Sequence, residues 1–302
     1  MPFEPAWQIT PRLLRQIKAV ERTAGFLEAV ELRPDWMAEV KRTVRVLDAL
    51  SSVQIEGSTL TLEAAFQLAQ AQPACALSPS EEEFLNYLAA FEAIDALRGV
   101  RDYSPSRRDL CNLHALIVRG VRGGDRYAGE IRREEVQVGD VDGAVTVIHH
   151  RPPPPEALEA LLDDLFAWLE LSKGKPKPAQ IARGRVDPWV HPVLAAGIAH
   201  HRLVWIHPFV DGNGRTTRIF TALLLYQRGY DFKHLFDLST YYNRDRDAYY
   251  AALRTADTTG DLTAWLEYFV GGLSFQMMGI VSKARKAALG IAAADATEEP
   301  GE

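Results

Sequence analysis

Net positive charge is what this sequence most plainly lacks: 34 Lys and Arg stand against 40 Asp and Glu, a formal net charge of −6. A phosphate polymer is gripped by a basic face, so nucleic acid is not an expected partner. Long hydrophobic runs are missing as well. No apolar stretch free of charge reaches the roughly 18 residues of a membrane span, and no membrane partner is expected. Cysteine is scarce. Cys75 and Cys111 are the only two, and they lack metal-ligand spacing, which excludes a disulfide framework and fits free thiols in a reducing compartment. The opening Met1-Pro2-Phe3-Glu4-Pro5 has no basic stretch followed by an apolar one, so no secretory leader is expected. Internal repeats are absent too. Together these absences point to a cytoplasmic globular protein.

What is present is ordinary core-forming material. The 302 residues are 47% hydrophobic, enough for one large domain or two small ones. Apolar residues recur at helical spacing over 8–31 and 36–56, with Gly57 as a stop signal for the second helix. Further helices are predicted over 61–72, 80–97 and 106–118, and from Glu156 onward; the Glu81-Glu82-Glu83 run falls in the first turn of the helix over 80–97. Residues 192–206 and 219–226 are apolar nearly all round, which predicts two buried helices. Helices are also expected over 243–254 and 262–281, with a frayed tail beyond Lys286. The basic 172–188 stretch reads as a solvated insertion, and His200 and His201 as packing or surface residues.

One region departs from helix. Glu135-Val136-Gln137-Val138 and Ala144-Val145-Thr146-Val147-Ile148 are short β-branched runs flanking an Asp142-Gly143 turn signal, which predicts a β-hairpin. Pro152 to Pro155 follow it, four residues that cannot donate a backbone hydrogen bond. The adjacent His149 and His150 do not make a metal site, because neighbouring strand residues point to opposite faces.

The chemistry concentrates in His207-Pro208-Phe209-Val210-Asp211-Gly212-Asn213-Gly214-Arg215-Thr216-Thr217-Arg218. Gly212 and Gly214 around Asn213 let backbone N–H groups turn inward as an anion nest. A helix starting near Thr216 would point its positive end at the same place. Arg215 and Arg218 are three residues apart and can both fork onto phosphate oxygens. Asp211 is placed to hold Mg²⁺ across phosphates, and His207 to take a proton from a hydroxyl. Phe209 reads as an anchor in the core.

This string resembles the signature of the Fic family, His-x-Phe-x-Asp/Glu-Gly-Asn-Gly-Arg-x-x-Arg, with every defined position filled. Ser52-Val53-Gln54-Ile55-Glu56-Gly57 is similar to that family's inhibitory motif, Ser/Thr-x-x-x-Glu-Gly/Asn. Its position ahead of the signature corresponds to the class II arrangement. The resemblance implies a mostly α Fic-fold helical bundle with one β-hairpin flap. It divides the chain into an N-terminal helical region over 1–100 with the inhibitory helix, a Fic core over 101–272, and a helix end and tail over 273–302 without a winged helix. It implies a protein adenylyltransferase that moves AMP from ATP to a Ser, Thr or Tyr hydroxyl, with Mg²⁺ on Asp211 and His207 as general base. Gly212, Asn213, Gly214, Arg215, Thr216, Thr217 and Arg218 would hold the nucleotide, and Tyr249 and Tyr250 would enclose its adenosine. Val147, Ile148, His149 and His150 of the flap would dock the target protein. Glu56, with Ser52, would pair with Arg218 and obstruct the γ-phosphate. Asp257 stands where some relatives have an asparagine, which leaves the base or ribose contact open. Two alternatives share these residues: removal of AMP by the same site, and a non-catalytic nucleotide-sensing module, as a homodimer.

Overall fold

In the computed structural model, residues 3–70, 76–97, 100, 103–121, 124–142, 145–174 and 189–288 are described. Eleven α-helices and one antiparallel hairpin are found among them. Four helices come first: α1 (Pro11–Ala29), α2 (Pro34–Ile55), α3 (Leu62–Leu68) and α4 (Pro79–Ala96). Then come α5 (Arg107–Ile117), strands β1 (Val138–Asp142) and β2 (Val145–His150), and α6 (Leu158–Leu171). The chain closes with α7 (Pro192–Ile206), α8 (Asn213–Gln227), α9 (Ser239–Arg244), α10 (Arg246–Thr259) and α11 (Thr263–Ala288). None of the described helices is long and apolar enough to cross a membrane.

Local chemistry sets the ends of these helices. Thr10 and Thr61 accept from backbone N–H groups three residues on, opening α1 and α3. Ser78 with Glu81, and Ser106 with Asp109, form reciprocal capping boxes at α4 and α5. Gly57, at φ +92°, ends α2 where the sequence places its stop.

The helices α7 and α8 form the centre. Every residue of α8 except Gly214 and Gln227 is buried, and α7 is buried except at Pro192, Arg202, Val204 and Trp205. Gly197 lets α7 approach α11 closely; a Cβ there would stand 2.9 Å from the Phe269 ring. Trp265 Nε1 donates to the Gly197 carbonyl at 2.7 Å in the same contact. His200 is a fully buried packing residue with a defined polar chain. Thr221 donates its hydroxyl to Thr217 O, so its oxygen accepts from His200 Nδ1 at 3.0 Å. The other ring nitrogen, Nε2, then accepts from the Tyr249 hydroxyl at 2.9 Å. Burial holds His200 well below the ordinary histidine range, with the nearby Arg218 charge adding to it.

Three expectations are corrected. The hairpin strands lie three residues later on the first side than the β-branched runs suggest: Asp140 pairs with Val147 and Gly139 with Ile148. Ladder pairing, not intrinsic preference, decides strand membership here, and Glu135 to Gln137 lead in unpaired. The helix expected over 243–254 is two helices. Asp245, at φ −146°, breaks the run and caps α10 through Ala248 N. Of the apolar helix expected over 36–56, only the C-terminal half enters the core, burying Val46, Ala49, Leu50, Val53 and Ile55. Most of the 172–188 stretch and the tail from 289 lie outside the described residues.

Tyr249→Phe should cost about 1–2 kcal/mol in urea unfolding, because it leaves a buried imidazole nitrogen without its donor.

Candidate functional site

Helix α7 ends at His207, whose backbone takes the left-handed conformation, φ 51° and ψ 61°. This turns the chain sharply toward Phe209, which is 1% exposed. Asn213 closes the loop from the other side: its Oδ1 accepts from Phe209 N at 2.9 Å and its Nδ2 donates to Phe209 O at 2.8 Å. Gly212, at φ +74°, then lets α8 begin, and a Cβ there would stand 2.9 Å from Val118. The helix therefore starts at Asn213, not near Thr216. Its free N–H groups belong to the first turn, whereas Thr216 N already donates to Gly212 O at 2.9 Å. The side chains of Thr216 and Thr217, which the resemblance assigns to the nucleotide, are buried in the helix body.

The two arginines also part company. Arg218 is buried, and its guanidinium donates from Nε to Ser52 Oγ at 2.8 Å and from Nη2 to Ser52 O at 2.9 Å. The same Nη2 lies 2.7 Å from Glu56 Oε1. Arg215 turns elsewhere: its Nη1 stands 2.9 Å from Glu83 Oε1, both side chains being almost fully buried. Its Nη2 lies 3.4 Å from Asp211 Oδ1. Arg215 thus ties α8 to α4 and does not share Arg218's direction. Burial lowers Arg218, but the Glu56 carboxylate, together with Tyr249 and Tyr87, more than offsets this and leaves the guanidinium more firmly protonated than usual.

Glu56 reaches this point because the end of α2 is held from outside the site. Ser239 N donates to Asp48 Oδ1 at 3.0 Å, Asn243 Nδ2 to Gln54 Oε1 at 2.7 Å, and Arg246 Nη1 to the Gln54 carbonyl at 3.1 Å. The Glu56 carboxylate then lies against Gly214 in the first turn of α8, so closely that a Cβ on that residue would collide with it. An anion therefore stands at the positive end of the helix.

Asp211 is largely exposed, its Oδ1 accepting from Gly212 N at 2.6 Å. Tyr249 is 2% exposed and stacks on Tyr242 at 4.5 Å, while Tyr250 is 37% exposed. Tyr249 thus lies in the core and Tyr250 at the surface, with their rings 5.2 Å apart. Asp257 Oδ1 lies 3.0 Å from His201 Nε2. On the hairpin, Val147 and Ile148 lie in the paired ladder, His149 is exposed, and His150 Nε2 bonds the Trp205 carbonyl at 2.8 Å.

Three residues to which sequence reasoning gives no role in the site complete it. His114 stacks flat on Phe209 at 3.7 Å. Its Nδ1 accepts from Gly129 N at 3.0 Å, so its Nε2 carries the proton and donates to Asp211 O at 3.0 Å. Arg132 N donates to Pro208 O at 2.9 Å, and its Nε to His207 O at 2.7 Å. Glu83, in sequence one of three helix-start acids, is the buried partner of Arg215. None has a local signal, since each is defined by a partner at least 75 residues away.

Residues 104–225 match the model of the Fic/DOC family. The chain carries a Fic/DOC domain. It is 29% identical over 218 residues to the "Protein adenylyltransferase Fic" of Drosophila sechellia, an alignment covering 72% of this chain and 39% of that one. The Drosophila mojavensis protein of the same name gives 29% identity with 38% of its length covered. The chain thus spans about two fifths of the curated relatives it matches. A Fic family protein from Desulfovibrio desulfuricans superposes with a TM-score of 0.74 at 26% identity, covering 93% of this chain and 77% of that one. Fic-1 of C. elegans shares the fold at a TM-score of 0.68 and 21% identity, with 91% and 73% covered. The matched Fic segment begins after α4, so Glu56 and Ser52 approach its site from α2, outside it.

Burial pushes His114 down to about 4, against about 6.5 in an unfolded chain. Between those values the unfolded state binds the extra proton, so stability falls as pH falls through that window. Urea unfolding of His114→Gln should lose less free energy between pH 7 and pH 5 than the parent does, by on the order of 2 kcal/mol.

Proposed function

We propose that this chain is a protein adenylyltransferase of the Fic type, held in a restrained state by Glu56. The curated relatives of its Fic domain bear that name. The observation that carries the reading is the convergence at one turn. His207, the free N–H groups at the start of α8 and the guanidinium of Arg218 meet there, and the Glu56 carboxylate acts on all three.

The roles follow from the chemistry. Burial pushes His207 down to about 4, partly opposed by the neighbouring Glu56 charge, so the imidazole is neutral at physiological pH and can accept a proton. The hydroxyl of a target protein loses its proton to His207. Its oxygen forms a bond to the α-phosphorus of ATP, the bond to the bridging oxygen breaks, and pyrophosphate leaves. The N–H groups of the first turn of α8 bind the phosphate chain. Arg218, released from Glu56, meets the charge on the leaving group. A target segment adds to an open edge of the β1–β2 hairpin by main-chain pairing.

Asp211 suits Mg²⁺ as one exposed carboxylate beside a phosphate nest. No group of three His, Cys, Asp or Glu side chains able to hold a metal stands among the described residues. The ion would then take its remaining oxygens from the nucleotide and water, as Mg²⁺ commonly does. When bound it would neutralise phosphate charge.

With α-labelled and γ-labelled ATP supplied in parallel, only the α label should enter protein. Glu56→Gly should raise self-labelling by about tenfold, equivalent to ~1.4 kcal/mol. His207→Ala in that background should lower it by roughly 100-fold or more while ATP binding by calorimetry persists. Label from γ-ATP alone would replace the reading with phosphorylation. Neither label, with ATP bound, would leave a sensing module or the reverse reaction.

A further inference from the structure

Arg132 sits just ahead of the hairpin and is 3% exposed. Its described side-chain hydrogen bonds all go to main-chain carbonyls. Nε donates to His207 O at 2.7 Å, Nη1 to Glu134 O at 2.9 Å, and Nη2 to Pro153 O at 2.6 Å and Ile206 O at 3.5 Å. Two of these acceptors, Glu134 and Pro153, flank the hairpin on its entry and exit. The other two are the last carbonyls of α7 and its cap, which no helical N–H follows to satisfy. A side chain with five donors and no acceptor matches surroundings that offer only acceptors. Its positive charge also stands at the negative end of α7.

The consequence lies at His207. Its left-handed backbone is sparsely populated by residues other than glycine, and such a conformation persists only where the surroundings over-determine it. Here Arg132 holds the His207 carbonyl through its side chain and the Pro208 carbonyl through its own N–H. The His114 ring repeats the arrangement at the far end of the loop, joining Gly129 N to Asp211 O. Residues 129–132 therefore grip the loop at both ends and run directly on to the hairpin.

We propose that Arg132 is a positioning residue for the transfer reaction: one guanidinium sets the distance and angle between His207 and the hairpin on which a target segment pairs. This rests on His207 being the base that receives the target's proton. A lysine ammonium is a single point of donation and does not span carbonyls on both sides of the hairpin and on α7. The conservative replacement is therefore informative.

The test uses the full chain with Glu56→Gly, compared with the same chain also carrying Arg132→Lys. At saturating ATP the rate of self-labelling from α-labelled ATP should fall roughly 10- to 100-fold, the cost of a small misplacement of reacting groups. ATP affinity by calorimetry should stay within about twofold, since the loss lies in the transfer step and not in nucleotide binding. Backbone hydrogen exchange should quicken together in residues 138–150 and 207–213, while α11 keeps its protection. An unchanged rate, or rate and ATP affinity falling together, would overturn the assignment. So would exchange that stays as in the parent, or protection lost in α11 as well. If the Glu56→Gly parent itself takes no label, adenylylation is the reading that fails. The exchange comparison then still decides whether Arg132 couples hairpin and loop.

Discussion

Arg218 is a permanent cation with almost no water around it, and a charge so placed has to be met. Leaving it unpaired would carry a desolvation cost of several kcal/mol. In this structure three acceptors from α2 meet it, the hydroxyl and carbonyl of Ser52 and the carboxylate of Glu56. The same carboxylate lies over the first turn of α8, where the helix presents free N–H groups. One anion thus answers two demands at once, and both concern phosphate-like charge. On the proposed reading this is why a restraint can be lifted without leaving a void in the electrostatics: a nucleotide's phosphates satisfy both groups that Glu56 now satisfies. Ser52, bound deeper on the guanidinium, can remain in either state.

The second half of that arrangement is stiffness. Asn213 clamps the Phe209 backbone with two hydrogen bonds, His114 stacks on the Phe209 ring, and Arg215 is tied to Glu83 on α4. These are buried contacts, and each fixes a direction as well as a distance. Loop 207–212 consequently starts and ends on helices that cannot easily shift, which is the condition for a preorganised anion site. Gly214 contributes by absence, since the carboxylate occupies the space a side chain would need.

Much of this was legible beforehand, for a physical reason. His207 to Arg218 is one continuous string, so spacing alone brings its parts together, and Glu56 ends a helix at a glycine stop. What could not be read depended on partners far along the chain. Arg215 and Arg218 have the same spacing rule and opposite surroundings, and only the packing of α4 against α8 sends one to Glu83. Thr216 and Thr217 lie inside the helix body because Gly212 adopts a positive φ and the helix starts three residues earlier than the spacing suggests. The hairpin register slipped because a two-stranded ladder carries Gly139 and Asp140 as readily as the valines around them. The split between α9 and α10 did have a signal, Asp245 as a cap, hidden inside an otherwise continuous pattern.

Arg132 and His114 show the limit most clearly. An arginine before a hairpin and a histidine in a helix carry no sequence mark of what they bind, because both bind backbone carbonyl or amide groups that every residue has. Yet these contacts join separate parts of the site: the loop that holds His207, the end of α7, and the segment that runs into the hairpin. A side-chain salt bridge would make the joint depend on one residue type at the other end. Main-chain acceptors do not impose that, so the loop and hairpin sequences can vary while the joint stays. The geometry of the site is then held by groups that side-chain patterns do not report, and the chemistry by side chains that they do.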